Sequence, residues 1–273
     1  MAGCAAGKVN GSIEVSDNYQ HIKFKLDDRV ARVTLARPPV NILSIEMMRE
    51  INDALGQCAK IRELVVIIFD ATTDSRAFSA GVAVEEHAED TIFQMLDSFH
   101  GIFRNIEQIA RPTIAVVDGA ALGGGCELVA ACDIVIASDR ARFGQPEIKL
   151  GVFPPIAAVL LPLVIGDKRA RELILTGELI DAAEAARLGL VNYVLPGNEL
   201  QAKTSEFITS FRNLSGAALE HAKRAIELGR GHSFDSVLKE VENMYLHELM
   251  KTHDAREGIS AFIEKRKPDW HDR

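Results

Sequence analysis

Two glutamates, each beside a turn-forming segment, are the residues of this sequence whose types and spacing best suit chemistry. Glu127 ends the run GGGCE (123–127), and Glu147 follows Pro146 twenty residues later. Consecutive glycines cost backbone entropy, and at a helix start they expose N–H groups where the helix dipole favours an anion. Pro146 fixes its own φ and holds the next carboxylate in a defined place. Taken separately, the glycine run suits a tight turn equally well, and Glu147 suits a solvated surface charge better.

A third segment, FSAGVA (78–83), follows an apolar strand pattern and consists of small residues around a glycine. Its N–H groups could hold an anionic oxygen, although such a loop is usually an ordinary turn. Together, this segment, the glycine run and the two glutamates supply the groups that one type of reaction needs. Two amide donors would stabilise charge on a carbonyl oxygen, and two carboxylates would move protons between water and carbon. That set suits the addition of water to a conjugated thioester, with no metal or redox cofactor required.

Composition narrows the classes of partner and chemistry. The chain has 273 residues, a net charge of −8 and no basic block, which argues against nucleic acid as a partner. No stretch of about 18 apolar residues occurs, so we expect no membrane span. The eight histidines form no HExxH pair, the four cysteines form no CxxC pair, and GxSxG is absent. These patterns argue against a metal site, a disulfide framework and a serine hydrolase.

The first residues carry no targeting pattern. They lack the apolar middle region of a secretory signal and are not rich in arginine. We therefore expect residues 1–18 to be a loosely held tail, and the protein to be cytoplasmic with reduced thiols.

Hydrophobic periodicity predicts the elements that must position these groups. Residues 21–35 read as a two-stranded hairpin, and Ser44 should cap an amphipathic helix. The continuous apolar run LVVIIFD (64–70) indicates a strand covered on both sides. A second amphipathic helix over 92–110 should end before Pro112.

The next stretch indicates the fold class. TIAVVDG (113–119) and IVIAS (134–138) read as buried strands on either side of a short helix, and this order predicts an α/β fold. Beyond about residue 165 the pattern becomes mainly helical. We expect a core over residues 19–197 and a helical C-terminal region over residues 198–273.

Several segments in order resemble one known family. They are FKLDDRVARVTLARPPVNILS, AFSAGVAVEE, DGAALGGGCELVAACDIVIAS, ARFGQPEIKLG and EGISAFIEKRKPDW. Together they closely resemble the crotonase (enoyl-CoA hydratase/isomerase) superfamily over residues 22–270. The resemblance implies a ClpP-like spiral of ββα units with a helical C-terminal region that mediates trimerisation, the trimers usually pairing as hexamers. It also implies an acyl-CoA substrate, whose coenzyme A is part of the substrate and not a cofactor.

The resemblance assigns roles position by position. The N–H groups of Val82 and Gly124 would form the oxyanion hole, and Glu127 and Glu147 would be the catalytic acids that orient the attacking water. Family isomerases commonly keep only the later glutamate, so both together favour a hydro-lyase. The adenine would lie near residues 80–84. The residues expected to contact coenzyme A, the last two from a neighbouring subunit, are Val40, Ala80, Ala83, Val84, Phe262 and Lys265.

The sequence departs from the common family pattern in two places. Ala83 stands where an acidic residue is frequent, and GVFPPIAAVLLP (151–162) replaces a Pro-Gly-Ala-Gly-Gly-like stretch. Phe153 and Pro154 should therefore reshape the acyl pocket beside Glu147. This segment resembles that of the cyclohexa-1,5-diene-1-carbonyl-CoA hydratases of anaerobic aromatic degradation, which form 6-hydroxycyclohex-1-ene-1-carbonyl-CoA. An ordinary packing variant at a helix start is the alternative.

Three other functions remain open from the sequence. A general short-chain enoyl-CoA hydratase or an enoyl-CoA isomerase would use the same scaffold, and only the hydratase adds water. A non-catalytic binding or scaffold protein of this fold would have no need of both glutamates.

Overall fold

The structure, a computed structural model, describes residues 19–214, 216–228, 234–247, 249–251 and 253–267. The expected tail of residues 1–18 lies outside the described residues. The strands in chain order are β1 (Ile22–Asp27), β2 (Val30–Leu35), β3 (Val66–Ala71), β4 (Ala77–Ser79), β5 (Thr113–Val117), β6 (Ala120–Leu122), β7 (Ile134–Ser138), β8 (Arg142–Gly144), β9 (Leu179–Asp181) and β10 (Tyr193–Leu195). The helices are α1 (Ile45–Cys58), α2 (Ile92–Ile109), α3 (Gly124–Ala131), α4 (Pro155–Ile165), α5 (Asp167–Thr176), α6 (Ala182–Leu188), α7 (Leu200–Arg212), α8 (Gly216–Leu228), α9 (Phe234–His247) and α10 (His253–Ile263).

The larger sheet has six strands in the spatial order β1-β2-β3-β5-β7-β10. Only β1 and β2 are antiparallel; they form the predicted hairpin, and the other neighbours run parallel. Both faces of this sheet are covered. Ile67 and Phe69 belong to the main core with α1 and α2, whereas Val66 and Ile68 pack in a second cluster that includes Phe207 of α7. This two-sided burial explains the unbroken apolar pattern of β3.

The smaller sheet consists of β4, β6, β8 and β9. Within it β4, β6 and β8 are parallel, and β9 pairs antiparallel with β8. Each successive turn of the chain contributes one strand to the larger sheet and the next to the smaller sheet, as β3 then β4, β5 then β6, and β7 then β8. Helices α2 and α3 follow the first two of these pairs. This repeated strand–strand–helix order is the spiral of ββα units that the family resemblance implied.

The C-terminal region is helical, as expected, and its last helices cover the core. Helix α9 packs against α2 and α4, and α10 packs against two 3₁₀ turns, Val84–His87 and Pro146–Leu150. The first turn begins directly after the segment FSAGVA (78–83), and the second contains Glu147. The C-terminal helices therefore close over the region where those segments meet.

Candidate active site

The glycine run forms the first turn of α3, and the structure explains why glycine is needed there. A Cβ atom at Gly123, whose φ is +52°, would lie 2.6 Å from the Glu147 Oε1 atom. A Cβ atom at Gly124 would lie 2.8 Å from Cγ2 of Val82, and one at Gly125 would lie 2.7 Å from Cβ of Ser79. The run thus lets the N-terminus of α3 approach the loop after β4 on one side and the carboxylate of Glu147 on the other.

The backbone around Val82 is oriented by a single parallel bridge to Leu43. The Leu43 N–H donates to the Gly81 carbonyl at 2.9 Å, and the Ala83 N–H donates to the Leu43 carbonyl at 3.1 Å. Because amides alternate in direction along an extended chain, the Val82 N–H points away from Leu43. The side of this backbone segment that points away from Leu43 faces α3, because a Cβ atom at the neighbouring Gly81 would lie 3.5 Å from the Gly124 nitrogen.

The Gly124 N–H belongs to the first turn of α3. The first N–H groups of a helix have no partner within the helix, and they lie at the positive end of its dipole. The amides of Val82 and Gly124 therefore come from two adjacent backbone segments and are free of the sheet and helix ladders. This arrangement suits stabilisation of an anionic carbonyl oxygen.

Glu127 lies in α3 and is 2% exposed. Its Oε1 accepts a hydrogen bond from the Ala157 N–H at 2.7 Å, so it caps the first turn of α4. Burial, followed by the charge of Glu147, raises the pKa of Glu127 well above its ordinary value, and hydrogen bonds from the Ala157 and Ile156 amides oppose part of that rise. Helix capping fixes the position of the carboxyl group while burial favours its protonated form.

Glu147 lies in the 3₁₀ turn after β8, and Pro146 is the first residue of that turn. Its Oε2 atom is shielded from solvent and has no hydrogen-bond partner. Burial raises the pKa of this carboxyl group to about 7. A buried carboxyl oxygen without a protein partner is available to hydrogen-bond a water molecule or a substrate.

The two glutamates face one cavity of about 330 Å³. Close apposition of two buried carboxyl groups disfavours ionisation of both, so they titrate as a pair. A pair that holds one proton offers one group that can accept a proton and one that can donate it.

Most of the residues singled out in the sequence meet at this cavity. Its walls include Ala80, Val82, Val84, Gly124, Glu127, Glu147, Phe153, Pro154 and Phe262. Phe262 lies on α10 of the same chain, so this position reaches the chain's own cavity.

Three expected contact residues do not line the cavity. The Val40 carbonyl group accepts a hydrogen bond from the Ala80 N–H at 2.9 Å, so Val40 holds the backbone of the loop after β4 in place. Ala83 is buried, and its carbonyl group contacts the His87 ring nitrogen Nδ1 at 3.0 Å. Lys265 is exposed just after α10. Their expected contacts with coenzyme A stay predictions.

Several lining residues were missed by sequence reasoning. They are His87, Met95, Leu96, Phe99, Lys149, Leu150, Val152, Tyr245 and Ile259. Met95, Leu96, Phe99, Tyr245 and Ile259 lie on helices that periodicity identified as amphipathic, but periodicity cannot tell a side chain that faces a core from one that faces a cavity. Tyr245 also lies about a hundred residues from Glu147 along the chain, so no local motif connects the two.

Among the described residues, no group of three or more His, Cys, Asp or Glu side chains is arranged to hold a metal ion. None of the helices in the described ranges has the length and apolarity needed to cross a membrane. Arg266, in the short run Lys265-Arg266-Lys267 after α10, pairs its guanidinium group with Glu257 and Glu264.

The parallel spiral, the paired amides and the buried carboxyl pair define a crotonase-type enzyme. A family model described as enoyl-CoA hydratase/isomerase matches residues 25–273. The chain therefore belongs to the enoyl-CoA hydratase/isomerase family, within the crotonase superfamily, as the sequence motifs indicated. The prediction of a hydro-lyase is also confirmed by the relatives, which are named hydratases.

Three similar proteins illustrate the range of the family. A cyclohexa-1,5-dienecarbonyl-CoA hydratase of Thauera aromatica is 39% identical over 247 residues, which is 90% of this chain and 95% of that protein. A short-chain-enoyl-CoA hydratase of Clostridium acetobutylicum is 36% identical and covers 90% and 96% of the two chains. The crystal structure of an enoyl-CoA hydratase from Mycobacterium avium subsp. paratuberculosis K-10 superposes with a TM-score of 0.82 at 30% identity, covering 93% of this chain and 99% of that one.

Proposed function

We propose that this enzyme adds water to the conjugated double bond of an acyl-CoA thioester, and that its substrate is cyclohexa-1,5-diene-1-carbonyl-CoA. The observation that carries the hydratase proposal is a pair of glutamates whose carboxyl pKa values are raised by burial and which face one cavity, beside two amides that make no hydrogen bond within the sheets or helices. The ring substrate is supported by the apolar segment around Phe153 and by the similarity to the Thauera aromatica hydratase.

The proposed chemistry assigns each group a task. The ionised member of the glutamate pair accepts a proton as the water oxygen bonds to the β-carbon of the acyl group. The electron pair of the double bond moves towards the thioester oxygen, which accepts hydrogen bonds from the Val82 and Gly124 amides. The protonated member then donates its proton to carbon. The pair ends the cycle with one proton, as it began.

With the dienoyl substrate, the second proton must be delivered to a particular ring carbon. Water adds to ring carbon 2, and the charge is delocalised from the thioester oxygen to ring carbon 5. Protonation at carbon 5 leaves the double bond between carbons 1 and 6, which gives 6-hydroxycyclohex-1-ene-1-carbonyl-CoA after renumbering. A linear enoyl-CoA instead receives its proton at the α-carbon, next to the carbonyl group.

The proposal is tested by measuring turnover of cyclohexa-1,5-diene-1-carbonyl-CoA and crotonyl-CoA from the loss of ultraviolet absorbance. Product mass should rise by one water, and a reaction in deuterium oxide should place deuterium on the ring carbon that was carbon 5. We expect the larger kcat/KM for the ring substrate. If only crotonyl-CoA is hydrated, the ring substrate is wrong and the enzyme is a general enoyl-CoA hydratase. A product of unchanged mass would identify an isomerase.

The glutamates distinguish an enzyme from a non-catalytic member of the fold. Glu127→Gln and Glu147→Gln should each lower kcat by at least about a hundredfold, because each removes one proton transfer. Both substitutions preserve side-chain volume, so an unchanged circular dichroism spectrum serves as the folding control. Full activity of either variant would contradict the proposed roles.

We also propose that the chain assembles as a trimer or a dimer of trimers. Support comes from family membership and from large apolar side chains left exposed on the single chain, such as Leu163, Leu175 and Ile226. Light scattering should therefore give a mass of about three or six times 29.9 kDa.

A further inference from the structure

Tyr245 is a cavity-lining residue that the proposed mechanism does not use. It lies on α9, is 1% exposed and stands edge-on to Phe153, with ring centroids 5.1 Å apart and planes at 70°. Phe153 precedes α4, so the two rings join the C-terminal helical region to the segment after Glu147. The pair therefore joins two distant parts of the chain at a wall of the cavity that both glutamates face.

The two rings share the cavity with both glutamates. Burial, followed by the negative charges of Glu147 and Glu127, raises the pKa of the Tyr245 phenol, so this side chain stays neutral. Behind Phe153, the consecutive residues Pro154 and Pro155 restrict the backbone. The wall is thus aromatic, uncharged and stiff.

We infer that Tyr245 is a specificity-determining residue that, together with Phe153, selects a flat unsaturated ring over a linear acyl group. This inference rests on the proposed function. The conjugated part of the ring presents a π face and an edge to two preset aromatic side chains. The four-carbon crotonyl group is smaller than the ring and makes fewer contacts with the same wall.

The test is the ratio of kcat/KM for cyclohexa-1,5-diene-1-carbonyl-CoA to kcat/KM for crotonyl-CoA. Tyr245→Leu should lower this ratio at least about tenfold, because it removes the ring from the wall. Both rates are measured on one sample, so any loss of folded protein cancels in the ratio. Tyr245→Phe keeps the ring and should restore the ratio to within about threefold of the unmodified enzyme. Failure of Tyr245→Phe to restore it would overturn the role of the ring.

Phe153→Leu provides a second test that does not depend on Tyr245→Leu folding. It removes the other half of the wall and should shift the ratio in the same direction, and the double variant should add little. Tyr193→Leu is the matched control, since Tyr193 also stands edge-on to a phenylalanine, Phe207, at 5.4 Å but outside the cavity. That variant should leave the ratio unchanged.

The outcomes separate this inference from the proposed function. If the unmodified enzyme hydrates neither thioester, the proposed function fails and the inference fails with it. If the enzyme hydrates both and Tyr245→Leu lowers the two rates equally, the hydratase proposal stands and the role of Tyr245 in specificity is overturned.

Discussion

At Glu147, the environment that suits catalysis opposes stability. Burial raises the pKa of its carboxyl group to about 7 from an ordinary value of 4.5. A carboxyl group whose folded pKa is raised stabilises the fold below its unfolded pKa, and that contribution is lost as the pH rises through the folded pKa. Above pH 7 the protein therefore holds a charge that it solvates poorly.

Glu147→Gln should therefore stabilise the protein at alkaline pH while abolishing activity. The gain in unfolding free energy should be near zero at pH 4.5 and reach on the order of 2–3 kcal/mol at pH 8, since Gln never ionises. Urea unfolding at the two pH values measures it. An equal gain at both pH values would show that ionisation is not the cause.

The close approach of α3 to the loop after β4 gives a second prediction. Gly124→Ala should lower kcat about a hundredfold or more with a smaller change in KM, because its Cβ would collide with Val82 and Phe99 and displace an oxyanion donor. Gly56→Ala is the matched control. Nothing lies within 4 Å of a Cβ there, and removing glycine from the interior of α1 should add up to about 1 kcal/mol of stability.

The groups of the site that sequence reasoning found are those with a local signal. Consecutive glycines and a carboxylate after proline are unusual enough to stand out, and the cavity contains both Glu127 and Glu147. Tyr245 has no such signal, because an aromatic residue at helical spacing usually faces a core. Its role depends on how α9 folds back over the spiral, which periodicity cannot specify.

At the scale of elements, α9 is held in place by a polar cluster as well as by apolar packing. Glu242 accepts hydrogen bonds from Nδ1 of His100 at 2.6 Å and from Nη2 of Arg104 at 2.8 Å, so it joins α9 to α2. The His100 side chain is fully buried, and the Glu242 side chain is 20% exposed. One helical turn further along α9, Tyr245 enters the cavity wall.

Glu242→Gln should destabilise the protein by about 1–3 kcal/mol, because it removes the charge from a largely buried, hydrogen-bonded cluster. The ring-to-linear activity ratio should fall as well, since α9 positions Tyr245. Glu184→Gln is the control. It breaks the exposed pair between Arg187 and Glu184 on α6, which should have no measurable effect. Equal loss of stability in the two variants would argue against the cluster as the anchor of α9.

Elements with a long, regular apolar pattern were predicted well, whereas the three-residue strands of the smaller sheet were not. The hairpin, α1 with its Ser44 cap, the buried strand β3 and α2 all appear as predicted. The smaller sheet was missed because its strands are three residues long, too short for an alternating pattern to register. The smaller sheet is defined by pairing between strands that are distant in sequence, and a short segment of sequence contains no information about such pairing.

At the scale of the whole chain, the cavity is built from both regions that the sequence distinguished. Residues 80–155 supply the amides, both glutamates and Phe153, while Tyr245, Ile259 and Phe262 come from α9 and α10. The C-terminal helices thus complete the wall of the same chain's cavity. Whatever the assembly, each chain should contain its own full set of proton-transfer groups.

This completeness makes a prediction about mixed assemblies. Co-expressed Glu127→Gln and Glu147→Gln chains should show no recovery of hydratase activity, because both carboxyl groups that we propose act in one turnover lie in one chain's cavity. As a control, mixing unmodified chains with Glu127→Gln chains should give activity proportional to the unmodified fraction. Recovery in the mixture of the two inactive variants would mean that glutamates from different subunits meet in solution, and the single-chain site would then be wrong. Unchanged inactivity together with a trimer or hexamer mass would show that assembly serves this enzyme without sharing its proton-transfer groups.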